Sequence, residues 1–256
     1  MSSSAPPSAT ANQARARLGP RLALASAAAF LVAVPFTLLL ILVQTSFPPL
    51  HRLDQGVAET LHAWALEHPG WVTVLDLWTD VFSPEAWRVA VVLAVAWLAY
   101  RRRWRLAAWA VTTITVGGLL GLGLKWAVDR ARPHLPDPVA VAPGASFPSG
   151  HALNAALGAG VLILLVLPYV SKRAGALLWC AGAVIVAGVA YTRVALAVHW
   201  VSDVVAGVIF GAAVVIATTA AFETWRRDIG LRPAEPHIEG VEPETGPADR
   251  PEGNPQ

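Results

Sequence analysis

Three short polar segments interrupt an otherwise apolar chain, and each carries residue types suited to an oxyanion. The first, Lys125-Trp126-Ala127-Val128-Asp129-Arg130-Ala131-Arg132-Pro133, sets Lys125 and Arg132 seven residues apart, on one face wherever a helix persists. Pro133 disfavours helix at Arg132, so the last turn is expected to open outward. The second, Phe147-Pro148-Ser149-Gly150-His151, leads into an apolar stretch. Ser149 is a favoured N-cap, and a helix start offers free N–H groups and a positive dipole end. Gly150 lets a ligand approach the backbone, so the segment reads as an anion site with an imidazole beside it. The third runs from Tyr191 to Asp203, with His199 and Asp203 four apart at the start of a helix. A carboxylate on one imidazole nitrogen fixes the tautomer and leaves the other nitrogen as base or nucleophile. Arg193 closes the preceding helix and returns to the same place through a short turn.

Each segment alone also has a plain structural reading: interfacial cations, an ordinary cap, a His–Asp pair inside a bundle. Their convergence is more specific. Two histidines suit a nucleophile and an acid, and three cations suit a multiply anionic oxygen group, which together is phosphoryl chemistry. No cluster of carboxylates, Cys or His has metal-ligand spacing, so neither a metal nor another cofactor is expected. Cys180 is the single cysteine; its apolar surroundings point to a small buried hydrophobe.

The elements that position these segments are long and apolar. Leu22–Val43 is free of charge and long enough to cross a hydrocarbon core of about 30 Å at about 1.5 Å per residue. It is too long for a signal peptide and lacks a small-residue cleavage site. Further spans are expected at Pro84–Tyr100, Leu106–Leu124, Ala152–Val170, Gly175–Val194 and Val204–Phe222. The sequence therefore predicts an all-α, polytopic membrane protein with six transmembrane helices. Arg88 sits near the end of the second span, within reach of the headgroups. Trp71–Phe82 carries Asp76 and Asp80 and reads as an interfacial amphipathic helix. Residues 1–21 and 223–256 read as disordered cytoplasmic ends around a membrane domain at 22–222.

Composition excludes the main competitors. Of the 256 residues, 55% are hydrophobic and 14% charged, and the mean hydropathy is +0.52. A soluble fold of this size needs a larger charged shell. A net charge of +2, with its arginines scattered, does not make a nucleic-acid face. With both termini cytoplasmic, thirteen of the nineteen basic residues fall inside, a clear positive-inside bias. The six left outside are Arg52, Arg88, Lys125, Arg130, Arg132 and Arg193. His51, His62, His68 and His134 read as interfacial or loop residues, and Asp129, four after Lys125, as its ion-pair partner.

The three segments resemble the tripartite signature of the type 2 phosphatidic acid phosphatase (PAP2) family: K-x6-R-P, then P-S-G-H, then S-R-x5-H-x3-D. Lys125–Pro133 and Pro148–His151 fit completely, and Thr192 stands where the family usually has Ser. The resemblance implies a six-helix membrane fold similar at its pocket to the haloperoxidases. It also implies a metal-independent, two-step lipid phosphatase in the plasma membrane. His199 would attack phosphorus, His151 would protonate the leaving oxygen and later activate water, and Asp203 would orient His199. Lys125, Arg132, Arg193, Ser149 and Gly150 would hold the phosphate. Phosphatidic acid, phosphatidylglycerol phosphate and undecaprenyl diphosphate all fit as substrates. The rival readings are a lipid phosphotransferase, which passes the phosphoryl group to a lipid acceptor, and a non-enzymatic lipid-phosphate or anion transporter.

Overall fold

A computed structural model of the chain describes the backbone of residues 33–228 and the side chains of residues 33–222. The expected N-terminal arm and residues 22–32 of the first span lie outside the described residues, as does the expected tail beyond residue 228. The remainder of the first span is α1, Ala33–Gln44, which turns by 87° into α2, Pro48–Glu67. Ser46 at the corner has φ 50°. Then follow α3 (Pro69–Val81), α4 (Pro84–Tyr100), α5 (Trp104–Val128), α6 (Gly150–Val166), α7 (Lys172–Ala195) and α8 (Val201–Asp228).

Five stretches are long and apolar enough to cross a bilayer, with the bent α1–α2 pair a sixth. The protein is an all-helical, multi-pass membrane protein. Its lipid face is apolar: Leu93, Leu119, Leu177 and Val184 are each at least 65% exposed. Polar groups turn inward, as the cost of leaving them in hydrocarbon requires. Thr113 and Thr218 share a hydrogen bond of 2.9 Å between α5 and α8.

Two expectations are corrected and one is refined. The helix expected at Trp71–Phe82 is α3, Pro69–Val81, with Asp76 and Asp80 in the field of Arg193 of α7; with α4 it makes one candidate crossing, Pro69–Tyr100. At 32 residues, or about 48 Å at 1.5 Å per residue, it overruns the hydrocarbon core. The tail does not begin at residue 223, because α8 runs on to Asp228; the first helix breaker after Phe222 is Gly230. Cys180 is exposed rather than buried, since its face of α7 looks toward lipid. Arg88 lies exposed in the first turns of α4, with Glu85 at 3.4 Å.

Helix α6 is the axis of the fold. It packs on α4, α5, α7 and α8, and its sequence is apolar or small on every side, as a surrounded helix must be. The closest approach is to α8 at Gly207 and Gly211. A Cβ at Gly207 would stand 2.7 Å from the Ser149 carbonyl oxygen, and one at Gly211 would stand 2.9 Å from that of Leu153. This small-x-x-x-small pair lets the two backbones meet without intervening side chains.

Candidate active site

The polar segments meet at one end of the bundle, where α5 and α7 arrive and α6 and α8 depart. Lys125 and Arg193 occupy the last turns of α5 and α7, where the negative dipole ends favour cations. The starts of α6 and α8 bring their positive ends to the same place. The N–H groups of Gly150, His151 and Ala152 in the first turn of α6 donate to no backbone carbonyl. Three donors are thus available to an anion. Ser149 is at the N-cap, but its hydroxyl makes no capping bond and is buried without a hydrogen-bond partner. Its N–H instead donates to the Asp203 carbonyl at 3.0 Å, tying the start of α6 to α8.

His199 is almost wholly buried. Its Nε2 lies 3.1 Å from Arg132 Nη1. A guanidinium only donates, so Nε2 carries the lone pair and the proton resides on Nδ1. That Nδ1–H faces Asp203 Oδ2 at 3.4 Å and Ser146 Oγ at 3.3 Å. The Ser146 hydroxyl donates to the same carboxylate oxygen in a short bond, and the Trp200 N–H donates to it at 2.9 Å. Burial pushes the His199 imidazole down to about 4, with the Arg132 and Lys125 charges acting in the same sense and the Asp203 hydrogen bond opposing them. At neutral pH the ring is uncharged, with its lone pair at Nε2 facing Arg132.

Arg132 does not share a helical face with Lys125. The αL conformation of Asp129, φ 42°, ends α5 three residues earlier than Arg132, and the loop carries the guanidinium back across the site. There it donates to the carbonyls of Pro143, Gly144 and Val198 at 2.7–2.9 Å. Burial lowers its pKa from that of a free guanidinium, against the pull of Asp203. Lys125 Nζ donates to the Ala145 carbonyl at 2.7 Å, and the expected Lys125–Asp129 ion pair does not form. Arg193 donates to Thr79 Oγ1 of α3 at 3.2 Å, and its Nε is buried without a partner. His151 is half-buried, in the electrostatic field of Arg193, His199, Arg132 and Lys125. All eight residues anticipated from the sequence therefore converge. Among the described residues, Lys125, Arg132 and Arg193 form no ion pair with a carboxylate.

Several participants escaped the sequence reading. Arg130 sits between two fully buried carboxylates, 2.8 Å from Asp54 and 2.6 Å from Asp203. Ser146, Ser202 and Thr79 supply hydroxyls. The signal for Asp54 was present: it shares the buried stripe of α2 with Ala58, His62 and Ala65, an acid in register with apolar positions. His62 is buried rather than interfacial, and its Nε2 bonds the Pro136 carbonyl at 2.7 Å, anchoring the loop that carries Arg132.

Residues 106–227 match the PAP2 superfamily model. Over 127 residues, 47% of this chain, the sequence is 33% identical to phosphatidylglycerophosphatase B of Bacillus subtilis (strain 168). That stretch is similar to the PAP2 superfamily. The alignment spans 60% of the length of the Bacillus protein. The fold agrees with the crystal structure of a transmembrane PAP2-type phosphatidylglycerolphosphate phosphatase from Bacillus subtilis. Its TM-score is 0.63 at 23% identity, covering 77% of this chain and 96% of that one. The matched segment, residues 106–227, holds all eight anticipated site residues, whereas Asp54 and Thr79 reach the site from α2 and α3, outside it.

Proposed function

We propose that this protein is a metal-independent lipid phosphate phosphatase working through a phosphohistidine. The reading is carried by one observation: a buried, neutral His199 whose Nε2 faces Arg132, a guanidinium without a carboxylate partner. His199 Nε2 attacks phosphorus and the P–O bond to the lipid breaks. His151 gives its proton to the departing oxygen. In the second step His151 takes a proton from water, the hydroxide oxygen displaces Nε2 from phosphorus, and phosphate leaves with His199 restored. Asp203 keeps the proton on Nδ1 and offsets the positive charge that grows on the ring. Lys125, Arg132, Arg193, the Ser149 hydroxyl and the Gly150 N–H stabilise the charge on the transferring group, which is typically the largest share of such catalysis.

The substrate class is a lipid monophosphate or diphosphate, with the tail in the bilayer and the headgroup at the end of the bundle. Phosphatidylglycerol phosphate leads phosphatidic acid and undecaprenyl diphosphate, because the similar Bacillus protein is named for it. The basic residues support a site on the outer face of the plasma membrane with both termini cytoplasmic. Purified protein incubated with each of the three lipids, with and without EDTA, is expected to release inorganic phosphate in both conditions. A denaturing quench at alkaline pH should trap a base-stable, acid-labile phosphoenzyme that is absent from His199→Ala. No phosphate release, a strict metal requirement, or a phosphoenzyme that persists in His199→Ala would each overturn the proposal.

A further inference from the structure

Five positively charged or proton-bearing side chains surround the pocket, yet one arginine of the cluster is wired differently from the others. Arg130 is clamped. Its Nη1 donates to Asp203 Oδ1 and to Ser202 Oγ, both at 2.6 Å. Its Nη2 donates to Asp54 Oδ2 at 2.8 Å. Trp200 lies over its guanidinium, 5.6 Å from the ring centroid. Asp54, itself wholly buried, also grips the start of α8: Oδ1 accepts the Ser202 N–H at 2.9 Å and Oδ2 the Ser202 hydroxyl at 2.5 Å. The two oxygens of Asp203 are consequently divided. Oδ1 belongs to Arg130, and Oδ2 belongs to His199, Ser146 and the Trp200 N–H.

We infer that Asp54, acting through Arg130 and Ser202, is a positioning residue that holds Asp203 and the start of α8 so that His199 presents Nε2 to phosphorus. The inference rests on His199 being the nucleophile. Two physical consequences follow from the wiring. A carboxylate free to rotate about its terminal torsion would offer either oxygen to His199, and the Arg130 fork removes that freedom. A guanidinium beside the pocket without a carboxylate would join the cations that bind phosphate. Asp54 neutralises Arg130 and keeps it on the far side of Asp203. Removing either member leaves a buried charge uncompensated, so the pair acts as a unit.

The charged and titratable groups facing His199 and Asp203 come from every surrounding element. They are Asp54 of α2, Lys125 of α5, Arg130 and Arg132 of the following loop, His151 of α6 and Arg193 of α7, the last facing Asp76 and Asp80 of α3. Of these, only Asp54 and Arg130 differ in sign while touching neither His199 nor the three free cations. They give a paired test.

The test uses the full-length protein in nanodiscs, with Asp54→Asn, Arg130→Gln and Arg130→Lys compared with wild type and His199→Ala. Phosphate release from the best lipid phosphate should fall about 10–100-fold in kcat for Asp54→Asn and Arg130→Gln. KM should stay within about threefold, because a misplacement near 1 Å costs chemistry about 10²-fold and leaves the phosphate cations in place. The His199 titration midpoint, read by NMR of ring-labelled histidine, should move up in Arg130→Gln, which loses a positive charge. It should move down in Asp54→Asn, which loses a negative one. Arg130→Lys keeps the charge but not the fork, so its midpoint should stay near wild type while kcat falls. If Asp54→Asn does not fold, Arg130→Lys and Ser202→Ala carry the same kcat-against-KM comparison. Wild-type kcat in these variants, a loss confined to KM, or midpoints that move together would overturn the inference. Wild-type protein that releases no phosphate would instead overturn the proposed function, and the opposed midpoints would still decide the positioning role.

Discussion

Gly207→Ala probes how tightly the active site depends on the α6–α8 contact. The added Cβ would meet the Ser149 carbonyl oxygen at 2.7 Å, the Leu153 nitrogen at 3.2 Å and the Ala152 Cβ at 3.2 Å. Two of the three are backbone atoms, which cannot rotate away as a side-chain tip can. Restoring ordinary contact at 3.4 Å requires the helices to part by about 0.7 Å at this turn. Ser149 is the residue whose N–H binds the Asp203 carbonyl, so the displacement acts directly between the anion-binding start of α6 and the His199–Asp203 pair on the α8 side. A shift of that size should lower kcat by about 10- to 100-fold, since near-attack geometry tolerates errors well below 1 Å. Overpacking should also lower stability by about 1–3 kcal/mol. Gly118→Ala is the control: nothing lies within 4 Å of its Cβ, and replacing a helical glycine is worth up to about 1 kcal/mol in propensity. Phosphate release and thermal unfolding of both variants in nanodiscs provide the assay. Gly207→Ala with wild-type kcat and unfolding temperature would refute the reasoning that this contact sets the site.

Three further outcomes are expected. His199→Ala should be inactive on a lipid monoester and on p-nitrophenyl phosphate alike, whereas His151→Ala should lose about 10²–10⁴-fold on the monoester and less on the aryl ester, whose leaving group needs no acid; equal relative losses would reverse the assigned roles. Because the folded pKa of His199 is depressed to about 4, below its unfolded value near 6.5, the unfolded state binds more protons between those values. Its contribution to stability is therefore complete above about pH 6.5 and lost as pH falls toward 4, and NMR should find the ring still neutral at pH 5.5. In a Cys180→Ala background, a cysteine at the exposed Val141 should react with an impermeant thiol reagent on intact cells and one at Lys172 should not; the opposite pattern would invert the membrane orientation.

The candidate site residues were legible because their chemistry is local. The spacing of His199 and Asp203, the Ser149-Gly150-His151 helix start and the cation pair around Pro133 each stand within one short segment. All eight residues meet, although Arg132 arrives by a loop rather than by the helical face the seven-residue spacing implied. What was illegible lies between segments. Nothing in the order Asp129-Arg130-Ala131-Arg132 says which arginine will find a carboxylate, because the answer depends on Asp54, 76 residues away in sequence. Exposure was misread for Cys180 and His62 for a related reason. In a bilayer an apolar run marks contact with lipid as readily as a core, and periodicity alone does not say which face of α7 or α2 meets another helix.

The division between Arg130 and Arg132 also bears on how a site rich in cations avoids repelling itself apart. Only Ala131 separates them, yet one has two carboxylates and the other has only carbonyl oxygens and the His199 lone pair. A carboxylate on Arg132 would cancel its charge, and it would compete with any bound anion for the same N–H groups. Carbonyl dipoles hold the guanidinium in place with no formal charge, so its field remains available to a ligand. Arg130 has the opposite task, for which neutralisation is the point. Reversing the arrangement would bury Asp203 without its guanidinium partner beside His199. The chain thus uses one residue type for two purposes, and the partner supplied by α2 determines which purpose each arginine serves.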